Sequence, residues 1–444
     1  MPLIVKPANS PELLFENASL EIVGRRCKLK KYNKLKNISS FDISGEFIAY
    51  ASPDSTYAVT RQMIDQAKKE IIIGIYDFTA KYMKDLILNA MNRGVKVSLM
   101  LDIDSPAENE IFKDLAKFGC TTVEAPSCAS KIVSYFPSSH EKVIVIDGTW
   151  SLVQSGNYSN NSIPFNEKDG GDPKHFVKGN RDMGVAINSK PLADFFKKLL
   201  KRDMKLELDA ERLEAVAGEK TLDQLPALVE AVPKLIPVKL FPSKSFKPTK
   251  KVSVTPVLTP DNYMDTVIDL LESATKSIYI ENQYIRSTQA EVSRLLEAIK
   301  TAKTNKPGLD VRIVLGKLFG PKDFDKEVIN IANIKEKFQL VLSKNIRYID
   351  TKRFVHCHNK IIIVDEKRVL VSSQNWSDTG VGTNREAGIL MEFPEIAKYY
   401  SQIFESDWST ALTKIPKPAK ATVTPEAVRK GNFVEVVAAD YQEV

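Results

Sequence analysis

His140-Glu141-Lys142, followed by Asp147, recurs as His358-Asn359-Lys360, followed by Asp365. The 444-residue chain has only four histidines, and two of them stand in the same H-x-K-x4-D frame. A duplicated frame constrains the fold more than any single motif. Two copies of one unit fold into two similar domains, and their pairing closes two imidazoles around one substrate.

The repeat is traceable segment by segment. Pro53-Asp54 matches Pro260-Asp261 at an offset of 207 residues, which persists into EIIIGIYDF (70–78) and SIYIENQYI (277–285). Helical stretches precede these strands, near Met63–Lys69 and Val267–Lys276. Amphipathic helices follow, KYMKDLILNAMNRG and AEVSRLLEAIKTAK. Each leads into a β-rich run, GVKVSLMLD (94–102) and GLDVRIVLG (308–316). Such alternation predicts layered α/β units. The apolar runs at 143–146 and 361–364 read as strands buried on both faces. The expected fold class is α/β: two tandem, pseudo-twofold-related α/β/α sandwich domains with the active site at their interface. The expected boundaries are a basic extension (1–44), a first domain (45–205), a Pro/Lys-rich linker (206–251), a second domain (252–413) and a tail (414–444).

Side chains alternate along a strand, so His140 and Lys142 share a face, as do His358 and Lys360. An imidazole beside an ammonium suits a tetrahedral anion: Lys holds phosphate oxygens, while His attacks phosphorus or moves protons. Asp147 and Asp365 have the opposite parity and read as strand-end residues that fix a turn or the domain interface. Downstream, Ser155 matches Ser373 and Asn157 matches Asn375; these four are expected to bind substrate phosphate. Asn180-Arg181-Asp182 matches Asn384-Arg385-Glu386. An acid at the same place in both halves, Asp182 and Glu386, is placed to hold each imidazole by Nδ1, fixing its tautomer. The alternative for these acids is an ion pair with a nearby Arg or Lys. His356 shares parity with His358 and reads as a structural histidine or part of the pocket wall.

His140 to Asp182 is 42 residues, and His358 to Glu386 is 28. The 14 additional residues fall in SIPFNEKDGGDPKHFVKG, a gating loop or a surface insertion. His175 lies there without a counterpart.

The net charge of +7 is concentrated. Residues 25–36 carry seven cations and no acid, and six lysines without an acid lie between Glu230 and Asp261. Either stretch is a solvated face or attracts phosphates or an anionic membrane. No CxxC pair points to zinc. Cys27, Cys120, Cys128 and Cys357 read as free thiols of a reducing compartment, with a Cys120–Cys128 pairing as the alternative. No run of 18 apolar residues predicts a membrane span, and no signal peptide is visible. A cytoplasmic protein or a processed secreted form is expected.

HEKVIVID…SGN and HNKIIIVD…SSQN resemble the two HKD motifs of the phospholipase D superfamily, and the resemblance extends from about residue 45 to 410. IYDFTAKYMKDLILNAMNRGVKV also resembles the bacterial nuclease branch, and IENQYI is similar to the phospholipase branch. The family's Gly-Ser pair before the Asn becomes Gln154-Ser155 and Ser372-Ser373. The resemblance implies a catalytic set of His140, Lys142, Asp147, His358, Lys360 and Asp365. It also implies phosphodiester cleavage through a covalent phosphohistidine, with no required metal and no cofactor. By the same resemblance His140 is the nucleophile and His358 the acid/base. Three readings stand: a phospholipase D hydrolysing or transferring phosphatidyl groups at a membrane surface, a nuclease, and a non-catalytic lipid- or nucleic-acid-binding scaffold. The first requires an apolar rim, for which Ile163-Pro164-Phe165, Phe176 and Leu318-Phe319 are candidates. Both halves lie in one chain, so a monomer suffices.

Overall fold

A computed structural model describes residues 27–129, 133–165, 178–211 and 240–417. His175, Phe176, Gly170, Gly171, most of the linker and nearly all of the tail lie outside these residues. The first half runs β1 (Lys28–Leu29), β2 (Phe41–Ile43), β3 (Phe47–Ser52), α1 (Thr56–Gln66), β4 (Glu70–Ile75), α2 (Lys81–Asn92), β5 (Lys96–Leu101), α3 (Pro106–Lys117), β6 (Thr121–Glu124), β7 (Val133–Ser134), β8 (Lys142–Ile146), β9 (Trp150–Gln154), β10 (Asp182–Asn188) and α4 (Lys190–Glu211). The second runs β11 (Lys244–Phe246), β12 (Val252–Thr259), α5 (Tyr263–Glu272), β13 (Ser277–Asn282), α6 (Ala290–Asn305), β14 (Asp310–Leu315), α7 (Pro321–Phe338), β15 (Ile346–Tyr348), β16 (Lys360–Val364), β17 (Arg368–Ser372), α8 (Asp378–Gly382), β18 (Glu386–Met391) and α9 (Pro394–Thr410).

Two eight-stranded sheets result, ordered β11-β3-β10-β9-β8-β4-β5-β6 and β15-β14-β13-β16-β17-β18-β12-β2. They are the two α/β units expected from the repeat. Their outer edges are exchanged. β2 precedes β3 in the chain but pairs with β12 of the second sheet, whereas β11 precedes β12 but pairs with β3 of the first. The extension and the linker therefore each contribute an edge strand to the opposite half.

Strands β8 and β16 are buried at every residue. Their alternating faces serve different cores. Ile144 and Ile146 pack in the first half's outer core and Ile362 and Val364 in the second's. Val143, Val145, Ile361 and Ile363 share one central core with Met183, Ile389, Phe196 of α4 and Phe404 of α9. That shared core explains why the halves cannot separate cheaply: cutting it exposes apolar area at ~25 cal/mol per Å².

Helices α1 and α5 stop at Gln66 and Glu272, earlier than the apolar pattern suggests. The next backbone N–H groups are taken by side chains. Lys68, Lys69 and Glu70 donate to Asp147, and Thr275, Lys276 and Ser277 donate to Asp365. A carboxylate that accepts three amides replaces the helical partners those groups would otherwise need.

Two expectations need correction. Cys27 is bonded to Cys128, joining the basic extension to the loop after β6, and Cys120 and Cys357 are the free thiols. The sequence spacing hid this pair, because the partners lie 101 residues apart and meet only when β1 aligns with β7. Ile163 is fully buried and so forms no membrane-facing rim, while the half-buried Phe165 stacks on Tyr57 at 4.2 Å.

Candidate active site

His140 and His358 sit just before β8 and β16, where each chain segment leaves its own sheet and pairs with the other half. His140 N–H donates to the Arg385 carbonyl, and Arg385 N–H to the Ser138 carbonyl. Equivalently, His358 N–H donates to the Arg181 carbonyl, and Arg181 N–H to the His356 carbonyl. Each His-x-Lys segment thus runs parallel to the Arg-acid segment of the opposite half.

This pairing decides which carboxylate meets which imidazole. His140 Nδ1 lies 2.8 Å from Glu386 Oε2, and His358 Nδ1 lies 2.9 Å from Asp182 Oδ1. The acids are those named from the repeat, but each serves the histidine of the other half. A carboxylate on Nδ1 holds the proton there and leaves Nε2 as the unprotonated ring nitrogen.

The two dyads are not electrostatically alike. Burial raises the Asp182 carboxyl, but the charge of His358 and its hydrogen bond outweigh this, and the net shift is downward. Burial also raises Glu386, and here it prevails, to about 7, against Lys142, Ser373 and Asn384. Burial and the neighbouring Lys360 lower His358 below its ordinary value, with Asp182 opposing them.

The lysines stand where the strand parity places them. Lys142 Nζ donates to the His140 carbonyl at 2.6 Å, and Lys360 Nζ to the His358 carbonyl at 2.7 Å. Lys142 also lies 5.0 Å from the Tyr76 ring centroid, and Tyr76 meets His140 edge-on. At the equivalent place in the second half Gln283 accepts from Lys360.

Ser155 and Ser373, expected to bind phosphate, stand against the two acids. Ser155 Oγ donates to Asp182 and accepts from Met183 N–H; Ser373 Oγ donates to Glu386 and accepts from Ala387 N–H. A hydroxyl has one proton to give; that of Ser373 goes to Glu386, while Ser155 also has Asn359 Oδ1 within reach at 3.2 Å. Asn157 and Asn375 are buried beside them, and Asn157 Oδ1 has no partner among the described residues. Gln154, which stands where the resemblance expects glycine, bonds Tyr50 and the Gly156 carbonyl and so ties down the turn.

Asp147 and Asp365 take no part in the site. They end β8 and β16 with φ of 53° and 57°, about 23 Å from their histidines for seven extended residues. Backbone amides at the far end of the sheet occupy them, and this holds both carboxyls below the usual range against the opposing effect of burial.

Arg181 and Arg385 were visible in the repeat without an assigned role. Arg181 binds Asp54 of its own half and Asp407 of the other; Arg385 binds Asp261 of its own half and Asp203 of the other. All four carboxylates are buried or nearly so. Tyr32 of the extension caps the second cluster, donating to Asp261 and accepting from Arg385. Asp203 and Asp407 share the repeat offset of Arg181 and Arg385, 204 residues, a signal the sequence carried. Among the described residues, no cluster of His, Cys, Asp and Glu suits a metal ion.

A family model described as cardiolipin synthase, PLD-like domain, matches residues 60–204 and 267–408. Mitochondrial cardiolipin hydrolase of Danio rerio is 35% identical over 57 residues, 13% of this chain and 25% of that protein. Phospholipase D of Rickettsia prowazekii (strain Madrid E) is 29% identical over 149 residues, 33% of this chain and 62% of that protein. The chain thus spans less than two thirds of either relative. The solved phosphatidylserine synthase of Haemophilus influenzae Rd KW20 superposes with a TM-score of 0.58 at 16% identity, covering 89% of this chain and 94% of that one. That likeness concerns the fold alone.

Proposed function

The chain belongs to the cardiolipin synthase, PLD-like domain family, and on that premise we propose that it is a phospholipase D-type phosphodiesterase acting on phospholipids. The observation that carries the reading is the pair of crossed dyads, His140–Glu386 and His358–Asp182, each beside a buried lysine. Two oriented imidazoles and two ammonium groups are the parts that double displacement at phosphorus needs.

In this mechanism His140 Nε2 attacks phosphorus while the second imidazole, carrying a proton on Nε2, gives it to the leaving alcohol oxygen. The P–O bond breaks and a phosphohistidine remains. Water or another alcohol, deprotonated by His358, then attacks, and the P–N bond breaks. Lys142, Lys360, Asn157 and Asn375 hold the non-bridging oxygens through the charge-developing steps. Asp182 favours the proton-carrying form of His358 against burial and Lys360, which together bring its pKa down; the assignment of His140 as nucleophile rests on the family resemblance. The names of the relatives, a cardiolipin hydrolase and a phospholipase D, support a phospholipid over other diesters.

The test is a parallel assay of the purified chain on phospholipid vesicles and on single- and double-stranded DNA, with chelator present. Lipid cleavage with labelled phosphate trapped on His140 is expected. Strong DNA cleavage with no lipid turnover would replace the reading with a nuclease. Inactivity on both substrates would favour the binding scaffold.

A further inference from the structure

Helices α4 and α9 are copies of one element with unlike outer surfaces. The repeat relates them at an offset of 204 residues. Their inward faces match: Leu192 with Ile396, Phe196 with Tyr400 and Asp203 with Asp407, all buried. Their outward faces do not. Lys198, Lys201, Arg202 and Lys205 of α4 stand where α9 has Gln402, Glu405, Ser406 and Ser409. The second half folds the same way without these cations, so the fold does not require them in the first.

Arg202 joins this face to a second cationic stretch. Its guanidinium donates to the Tyr32 hydroxyl at 3.2 Å and to the Asn33 carbonyl at 2.6 Å. The basic extension is thereby laid against α4, with Lys28, Lys31, Lys34 and Lys36 exposed and no acid between Cys27 and Phe41. Two lysine-rich segments far apart in the chain become one surface. Arg385 ties both to the site, because it binds Asp203 of α4 and Tyr32 of the extension while its carbonyl takes the His140 N–H. The surface also carries apolar side chains. Leu29 is 48% exposed beside Lys28, and Leu208 is 50% exposed on the helix face of Lys198, Lys201 and Lys205. Leu412, the repeat equivalent of Leu208, packs against its own core instead. Lysines alone would suit any polyanion. Exposed leucines among them offer nothing to a nucleic-acid backbone, which is gripped by charge and aromatic stacking. Of the aromatics here, Tyr32 is committed to Arg385 and Asp261, and Tyr135 lies under Lys30. Cations flanking aliphatic side chains match an anionic bilayer, whose headgroups take the charge and whose acyl boundary takes the leucines.

We propose that the outer face of α4 and the basic extension form a docking surface for an anionic lipid bilayer, which holds the first half-site against the membrane. The surface determines how the membrane is met and not which bond is cut, so docking and the phosphodiesterase reading can fail separately. Binding is measured by co-sedimentation with phosphatidylcholine vesicles, with and without phosphatidylglycerol, using the chain with His140→Ala so that no lipid turns over. Binding to the anionic vesicles that falls as salt rises is expected. The triple change Lys198→Gln, Lys201→Glu and Lys205→Ser gives α4 the residues of α9. It should weaken that binding about a hundredfold or more, since each lysine near an anionic surface contributes separately. Leu29→Ser with Leu208→Ser should weaken it about tenfold and leave a residue of binding that salt abolishes.

In the chain with both histidines intact, the same two sets of changes should slow turnover on vesicles and leave kcat/KM on a short-chain phospholipid dispersed as monomers unchanged. An unchanged unfolding midpoint separates lost docking from lost fold. Equal binding to neutral and anionic vesicles overturns the proposal, as does a triple variant that binds like its parent. Absence of vesicle binding, with tight and salt-sensitive binding of DNA oligonucleotides that the triple variant loses, would assign the surface to nucleic acid instead.

Discussion

The two half-sites present nearly the same His–Lys pair on differently built supports. In the first, Glu141 itself fills the buried position behind the strand, taking the Ser139 hydroxyl and facing Gly74, where a Cβ would come within 3.1 Å of its Oε1. In the second, the carboxylate has moved to the neighbouring strand: Glu281 replaces the glycine and Asn359 replaces the glutamate, donating to Glu281 at 2.9 Å. Burial raises both acids to about 8. One buried carboxyl per half is kept while its strand of origin changes. Packing volume and hydrogen bonding constrain the site more tightly than residue identity does.

The dyads differ in the same spirit. An aspartate held below its usual range faces His358, and a glutamate raised to about 7 faces His140. The sharpest way to break the comparison is to delete each imidazole in turn. His140→Ala and His358→Ala should each lower kcat by about 10⁴ or more, since residues that act as a unit fail together. Only His358→Ala should still allow slow labelling of His140 by substrates with activated leaving groups. Label on His358 in the His140→Ala protein would reverse the roles.

Next in size is the interface. Arg181→Met strands the carboxylates of Asp54 and Asp407, and Arg385→Met those of Asp203 and Asp261. Each is expected to cost about 3–5 kcal/mol in denaturant unfolding. The two variants should be similar, since each arginine reaches one acid of either half. A loss below about 1 kcal/mol would mean that the clusters do not hold the halves together.

The acid pair sharpens the contrast further. Asp182→Asn should cost about 10²–10³ in kcat at every pH above the carboxylate range. Glu386→Gln mimics the protonated form of a group titrating near 7. Its cost should be small at pH 6, where the wild type is itself largely protonated, and should grow towards pH 8. Parallel pH–rate profiles for the two variants would remove the asymmetry. The smallest effect concerns the disulfide, which only the first half possesses. Cys27→Ser with Cys128→Ser should lower unfolding stability by about 2–4 kcal/mol and leave kcat nearly unchanged. A large fall in kcat would tie the strap, through Tyr32 and Arg385, to the placement of His140.

Much of the site was legible in the chain. Strand alternation separated His140, Lys142, His358 and Lys360 from Asp147 and Asp365, and doubling singled out Asp182 and Glu386. For Ser155 and Ser373, equivalence in a repeat says that two residues share a role without saying which. Their hydroxyls meet carboxylates that the folded chain brings near. Cys27 and Cys128 were illegible for the same reason: β1 and β7 carry two residues each, too short for any pattern.

The sequence by itself determined that there are two units, which residues are equivalent, and which face of each strand carries chemistry. These are local properties, set by side-chain periodicity and by a repeat copied along one chain. The tertiary structure alone decided who meets whom. His140 takes its carboxylate from 246 residues away and His358 from 176 residues away. Each edge strand leaves its own sheet for the other, and each arginine spans both halves. The physical reason is that the repeat is blind to the twofold axis. A residue's equivalent partner in its own half and in the opposite half look the same in sequence, and only the packing of two sheets on one shared core selects between them.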